Sequence, residues 1–371
     1  MEYQHGGDVY SQEVALDFSA NINPFGMPEA VRRVAAESLA RSDIYPDSRC
    51  MALTEALASF HRVPREWVTC GNGAADLIFA LAFGVKPTRA LVTAPAFAEY
   101  EQALEAAGCR TEWLDLKEED GFVPDVGALL GRLDTGVDML FLCNPNNPTG
   151  VALPRESVER LAGECRKRGI ILAVDECFCE FLDHPKEHSV IPLLGTYPNL
   201  FVLKAFTKLY AMAGLRLGYG LCSDLGLLET LARVRQPWSV SGVAQAAGVA
   251  ALREQAYVER SRAVIAAERK WLKGELSRLG FKVYGSNANY IFFRDERAVG
   301  GPRNGRGLLY EEMMDRRILI RSCANYRGLD NTYYRICVRL HEDNQVLIHA
   351  LGEALGARAE LDIAGKRKRQ E

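Results

Sequence analysis

Five short runs, "WVTC" at Trp67, "RALVTA" at Arg89, "MLFLC" at Met139, "IILAVDE" at Ile170 and "LFVLKAF" at Leu200, are apolar with little alternation. A strand with one wet face alternates apolar and polar residues. A continuously apolar strand is covered on both faces. Helical patterns separate these runs. One is "ESVERLAGECRKRG", which ends on basic residues and a glycine, as a helix C-terminus does. Such alternation folds into a mostly parallel sheet layered by helices, giving an α/β fold. In open sheets of this kind, ligands bind beyond the carboxyl ends of the strands. The residues that follow each apolar run are therefore the candidates for function.

The alternation extends from about Trp67 to Gly220, and a different regime starts near Gln236. A helical pattern from about Val243 to Leu279 stops at Gly280. Then come the strand-like "FKVYG", "YIFFR", "ILIRSC" and "YYRICVR", and a final helix near Asp343 to Leu355. This part reads as a smaller α+β domain. The segment "RDERAVGGPRNGRG" reads as a mobile surface loop. Before the alternation lie an irregular arm, a turn at "NPFGMP" and a helix from Glu29 to about Leu39. The expected organisation is an arm over 1–25, a large domain over 46–238, a small domain from 26–45 and 239–358, and a tail over 359–371.

A chain of 371 residues, 48% hydrophobic and 25% charged, can fill two such cores. Its net charge of -3 gives no basis for a nucleic-acid or membrane partner. The basic run "GKRKRQE" reads as a solvated tail. No apolar run approaches the ~20 residues that span a bilayer. The start lacks a basic stretch followed by an apolar core, so no secretion signal is expected. Ten cysteines occur without a C-x-x-C pair. They read as reduced, mostly buried thiols of a cytoplasmic protein, and no metal site is expected.

The strand ends carry a set of polar and aromatic residues. "GNGAAD", Gly71 to Asp76, joins a strand to a helix N-terminus, which suits a phosphate. Glycine-rich turns are also common structural devices. In "PAFAEY", Phe97 could cover a flat ligand, although a lone phenylalanine is ordinarily core. "NPNNPTG" carries three asparagines and two prolines after a buried strand, and Asn147 offers both an acceptor and a donor. Asp175 ends a very apolar strand, where a carboxylate is costly unless paired. It could cap the next helix or hold a buried cation such as a protonated ring nitrogen.

The stretch "KAFTKLYAMAGLRLGYG" adds Lys204, Lys208 and Arg216. A lysine in an apolar, partly buried position has a lowered pKa and becomes nucleophilic towards carbonyls. Lys204 falls within the strand pattern and is read as structural. Lys208 follows it and is read as the reactive amine, with Arg216 placed to neutralise a phosphate.

Taken in order, a phosphate cradle, a ring cover, an asparagine, a carboxylate and a reactive amine are the parts of a pyridoxal phosphate site. On these residues the chain resembles the fold-type I pyridoxal-phosphate enzymes over nearly its whole length. Within them it resembles the branch containing histidinol-phosphate aminotransferase. The resemblance implies a large domain with a mostly parallel seven-stranded sheet and a smaller α+β domain. It implies that Lys208 forms the Schiff base with pyridoxal 5'-phosphate. Asp175 would face the pyridine nitrogen, Asn147 the ring hydroxyl and Phe97 the ring face. Gly73, Ala74, Thr207 and Arg216 would surround the cofactor phosphate.

Three strings narrow the branch: "HGGDVY" with "DFSANINP", "YPD" at Tyr45, and "RILIRSCANYRGLDNTYYRICVR". They resemble the decarboxylases of L-threonine O-3-phosphate, which make aminopropanol phosphate for the nucleotide loop of cobalamin. That resemblance implies substrate contacts from His5, Gly6, Asn21, Asn147, Arg321 and Arg335. It also implies a homodimer in which Tyr45 reaches over from the neighbouring subunit. Two positions depart from the wider branch. Phe178 stands where aminotransferases usually have a tyrosine, which favours the decarboxylases. Ala205 stands where a serine often binds the cofactor phosphate, a loss of about 0.5–1.5 kcal/mol. A histidinol-phosphate-type aminotransferase and a decarboxylase of serine phosphate are the alternatives. Threonine phosphate and serine phosphate differ by one methyl, worth only ~1–3 kcal/mol in a pocket. A non-catalytic pyridoxal-phosphate-binding protein is disfavoured by the complete set of site residues.

Overall fold

The computed structural model describes residues 5–133, 136–298 and 305–367. Strand β1 (Leu16–Asp17) comes first, followed by β2 (Val68–Gly71), β3 (Arg89–Ala94) and β4 (Arg110–Asp115). Next are β5 (Met139–Cys143), β6 (Ile171–Asp175), β7 (Leu200–Ala205) and β8 (Gly218–Leu221). The last five are β9 (Lys282–Tyr284), β10 (Tyr290–Arg294), β11 (Ile318–Leu319), β12 (Arg321–Ser322) and β13 (Tyr333–Cys337).

A seven-stranded sheet has the order β2-β8-β7-β6-β5-β3-β4. Strands β3 to β7 pair in parallel, and β8 alone opposes its neighbours β2 and β7. The apolar runs explain the layering. Along β5, Leu140 and Leu142 enter one hydrophobic core while Met139 and Phe141 enter another. Successive side chains point to opposite faces, so a strand apolar at every position needs cover on both. Burying each such side chain is worth roughly 1.5–3 kcal/mol. Where backbone must approach a ring, glycine is required: a Cβ at Gly220 in β8 would lie 2.3 Å from the Phe201 ring.

A second sheet is antiparallel, in the order β12-β13-β10-β9, and β1 pairs with β11. The helical pattern expected from Val243 to Leu279 is two helices, Gly242–Ala251 and Gln255–Arg278. No glycine or proline marks the break. The first helix packs on Glu29–Ser38 and Met51–His61, and the second on His341–Arg367, so tertiary packing divides them. The final helix, His341–Arg367, runs longer than expected and carries the start of the expected tail; residues 368–371 lie outside the described residues. So does 299–304 of the expected loop, which is flanked by a 3-10 turn at Glu296–Ala298 and a helix from Leu308. All ten cysteines are free and nine are buried. Among the described residues no helix is long and apolar enough to cross a membrane.

Candidate active site

A cleft of about 290 Å³ opens at the carboxyl ends of β3, β5, β6 and β7. It is where the layered sheet places the residues that follow each apolar run. At its floor, Asp175 closes β6 and is buried. Its Oδ2 accepts a 2.6 Å hydrogen bond from the Tyr100 hydroxyl, and its Oδ1 a 2.9 Å bond from the Cys177 amide. The Tyr100 hydroxyl is a true donor here, because burial and then the Asp175 charge push that phenol well above its usual range. Asp175 thus has two fixed donors and a face on the cleft.

Lys208 sits in the short helix Phe206–Leu209, directly after β7. It is half-buried and meets the cleft. Burial first, then the neighbouring charges of Arg335 and Arg216, lowers its amine to about 8. The Asn23 amide donates to the Lys208 carbonyl at 3.0 Å, and Asn23 Nδ2 donates to the Leu209 carbonyl at 2.8 Å. The segment at "SANIN" therefore clamps the backbone that carries the amine. Lys204 has a structural setting, as expected: it is buried and paired with Glu180 at 2.9 Å and Glu176 at 3.4 Å.

At the other end of the cleft, Gly73 starts the helix Gly73–Val85, whose cap residue Asn72 makes no side-chain cap bond. The first amides of that helix are thus left for an anion. Gly73 has φ +82°, and a Cβ there would lie 2.5 Å from Arg216 Nη2. A Cβ at Gly218 would meet the Ala74 amide at 2.5 Å. Only glycine lets the helix start, Arg216 and β8 come this close. Ala74, Ala205 and Thr207 line the same end. Phe97 lines the cleft and packs edge-on against Tyr100, with ring centroids 5.7 Å apart.

The rest of the wall comes from the second sheet and the arm. Arg321 and Arg335 are register partners on β12 and β13. Arg335 Nη2 donates to the Ser19 carbonyl at 2.8 Å, and Nη1 donates to Asn147 Oδ1. Its Nε, like Asn21 Oδ1, is buried without a partner among the described residues. Arg321 Nη2 donates to Asn325 Oδ1 at 2.7 Å. His5, Gly6 and Asn21 line the cleft. Phe178 is buried there, edge-on to Tyr290 at 5.0 Å. Tyr45 lies elsewhere: it is 78% exposed and rests on Trp238, with centroids 4.8 Å apart. Within one chain, the structure brings together every expected site residue except Tyr45.

A profile of the aminotransferase class I and II family matches residues 13–351. The chain belongs to that family. Within the aminotransferase class I and II family it is 39% identical to threonine-phosphate decarboxylase of Salmonella typhimurium, over 96% of this chain and 98% of that protein. The histidinol-phosphate aminotransferase of Clostridium acetobutylicum superposes with a TM-score of 0.84 at 28% identity, covering 92% of this chain and 99% of that one. L-threonine-O-3-phosphate decarboxylase of Porphyromonas gingivalis superposes with a TM-score of 0.80 at 25% identity, covering 92% and 99%. The architecture is therefore that of the fold-type I enzymes.

The cofactor of the aminotransferase class I and II family is pyridoxal 5'-phosphate, and the cleft fits it. Its glycine-only cradle with Arg216 suits a phosphate, Asp175 suits a protonated ring nitrogen, and the depressed amine of Lys208 suits an aldehyde. Sequence reasoning missed Tyr100, Ser19 and Glu99, which also shape the cleft. Tyr100 lay in "PAFAEY", three residues after the Phe97 that was singled out. Phe97 caps the helix Ala98–Ala106 and Tyr100 lies in its first turn, so the two rings meet edge-on.

Proposed function

We propose that this chain decarboxylates L-threonine O-3-phosphate to (R)-1-aminopropan-2-yl phosphate and carbon dioxide. The step would serve the nucleotide loop of cobalamin. The observation that carries the reading is the 39% identity to a threonine-phosphate decarboxylase across 96% of the chain. The cleft supports it: Arg321 and Arg335 stand side by side on β12 and β13, with His5 and Asn21 in the same wall. Two guanidinium groups and an imidazole match a phosphate and a carboxylate on one small substrate.

In this reading Lys208, Asp175, Asn147 and Phe97 hold the cofactor ring. Gly73, Ala74, Thr207 and Arg216 hold its phosphate. When bound, pyridoxal phosphate supplies an electron sink for the pair released as the Cα–carboxylate bond breaks. The protein chooses that bond by where it anchors the charged ends of the substrate. Arg321, Arg335 and His5 fix those ends, and Asn21 and Gly6 close the arm side. Asp175, held by Tyr100 and Cys177, is aimed at the ring nitrogen. Lys208 Nζ, close to half protonated at pH 8, can return a proton to Cα.

The protein is further read as a cytoplasmic homodimer, with Tyr45 completing the partner's cleft. Ten free thiols fit a reducing compartment. A histidinol-phosphate-type aminotransferase is the second reading, favoured by the superposition at TM-score 0.84. One assay separates them. Incubation with threonine phosphate and no 2-oxoglutarate should release carbon dioxide stoichiometrically. Glutamate formed from 2-oxoglutarate and histidinol phosphate, without carbon dioxide from threonine phosphate, overturns the decarboxylase reading. Serine phosphate run alongside measures how far the pocket uses the substrate methyl.

A further inference from the structure

The N-terminal arm crosses the cleft along a path fixed by two glycines. A Cβ at Gly6 would lie 2.4 Å from the Ser19 carbonyl, so the arm rests directly on that backbone. The Gly7 amide donates to Ser19 Oγ at 2.7 Å, and Ser19 Oγ donates to Asp17 Oδ1 at 2.6 Å. The residue before this anchor, His5, meets the opposite wall. Its Nδ1 lies 3.5 Å from Glu99 Oε1, with the Glu99 side chain 14% exposed and His5 53% exposed. Glu99 begins the helix Ala98–Ala106 that follows Phe97. Its other oxygen, Oε2, is buried without a hydrogen-bond partner among the described residues. A buried carboxylate oxygen with no donor is costly, and the cost falls if the group holds a proton.

We propose that Glu99 is a positioning residue, which fixes the arm across the cleft through His5 and stores one proton for the imidazole when a dianionic phosphate enters. This rests on the reading of the substrate as a phosphate ester. The charges around the pair fit the role. Burial raises the Glu99 carboxyl to about 7, against the opposing pull of Lys208 and Arg321 and with the support of Asp175. Burial and Arg321 lower His5 below its usual range. In the empty cleft, as pH falls through about 7, the first proton of the pair therefore goes to Glu99 rather than to His5. A phosphate beside His5 favours the imidazolium. The proton then leaves Glu99 Oε1 and ends on His5 Nδ1, which turns a neutral pair into an ion pair exactly where the dianion needs a cation.

The test uses the pyridoxal-phosphate-loaded enzyme. Glu99→Gln keeps the shape and removes the stored proton. It should raise KM for threonine phosphate about tenfold at pH 6.5, where Glu99 still holds its proton, with the larger share of the loss in KM rather than kcat. The alkaline fall of kcat/KM, set near pH 7 by the pair, should move to lower pH, because His5 alone binds its proton more weakly. In a His5→Ala background the same substitution should add no further loss. The dissociation constant for threonine phosphate, read by calorimetry, should follow KM. An unchanged KM and dissociation constant in Glu99→Gln, or losses that multiply in the double variant, overturn the inference. Wild-type protein that binds threonine phosphate without releasing carbon dioxide overturns the decarboxylase reading instead, and calorimetry still decides the role of Glu99.

Discussion

The amine of Lys208 is the group whose environment differs most from water in a way that chemistry can use. Burial and two guanidinium groups hold it at about 8, where an ordinary lysine is almost fully protonated. A lowered pKa means the neutral, nucleophilic form is gained as pH rises through that value. Reloading of the apoprotein with pyridoxal phosphate should therefore accelerate from pH 7 to about 8 and level off above. A rate flat across that range would contradict the depressed amine. Lys208→Ala should abolish the borohydride-trapped adduct and lower turnover by about 100- to 10,000-fold or more. Normal activity in that variant would assign the chemistry elsewhere. Tyr100 makes a different kind of prediction. Its removal in Tyr100→Phe leaves Asp175 with one donor fewer, at a cost of about 1.5–3 kcal/mol for a charged acceptor. The loss should be larger in the apoprotein than in the loaded enzyme, because a ring nitrogen can replace the missing donor. Denaturant midpoints of both forms measure the difference, and equal losses would speak against Asp175 as the ring partner.

Elements separate what the sequence carried from what it did not. Lys208, Asp175, Asn147 and Gly73 were legible because each follows an apolar run, and strand ends of a doubly covered sheet face the ligand. Strand β4 mixes four polar or charged residues with Trp113 and Leu114 and is at the edge of the sheet, so its pattern matched no buried strand. Strand β8 is glycine-containing because Phe201 needs the space at Gly220, and that need is visible only once β7 lies beside it. The division of the expected long helix into two likewise comes from packing against other helices. Glu99 and Tyr100 share one turn of helix yet face different partners, His5 and Asp175, which no local pattern records. The cradle offers the test at this level. Gly73→Ala forces a left-handed residue, costing about 1–3 kcal/mol, and drives a methyl into Arg216. Cofactor affinity should fall at least about tenfold while far-ultraviolet circular dichroism stays unchanged. Undiminished affinity would remove the helix start from the phosphate site.

The single chain leaves one expected site residue unemployed, and the surface around it suggests why. Leu39, Ile44, Tyr45, Met51 and Trp238 are all exposed, and Tyr45 and Trp238 stack on each other in water. An exposed apolar patch of that kind marks an interaction surface. In the proposed homodimer, a second copy related by twofold symmetry would cover it and carry each Tyr45 to the other copy's cleft. Sequence resemblance supplied the residue, and within one chain it lies away from the cleft, against Trp238. The consequence can be tested without imaging the interface. Lys208→Ala and Tyr45→Ala subunits, each crippled alone, are unfolded together and refolded as a mixture. If Tyr45 acts in its own chain, every cleft in every dimer retains one defect and activity stays at the level of the parents. If it acts across the interface, a hybrid dimer has one cleft with both lesions and one with neither. Half the dimers in an equal mixture are hybrids, so activity should recover to about a quarter of wild type. Recovery that rises and falls with the mixing ratio, peaking at equal parts, would tie the restored cleft to the hybrid rather than to either parent.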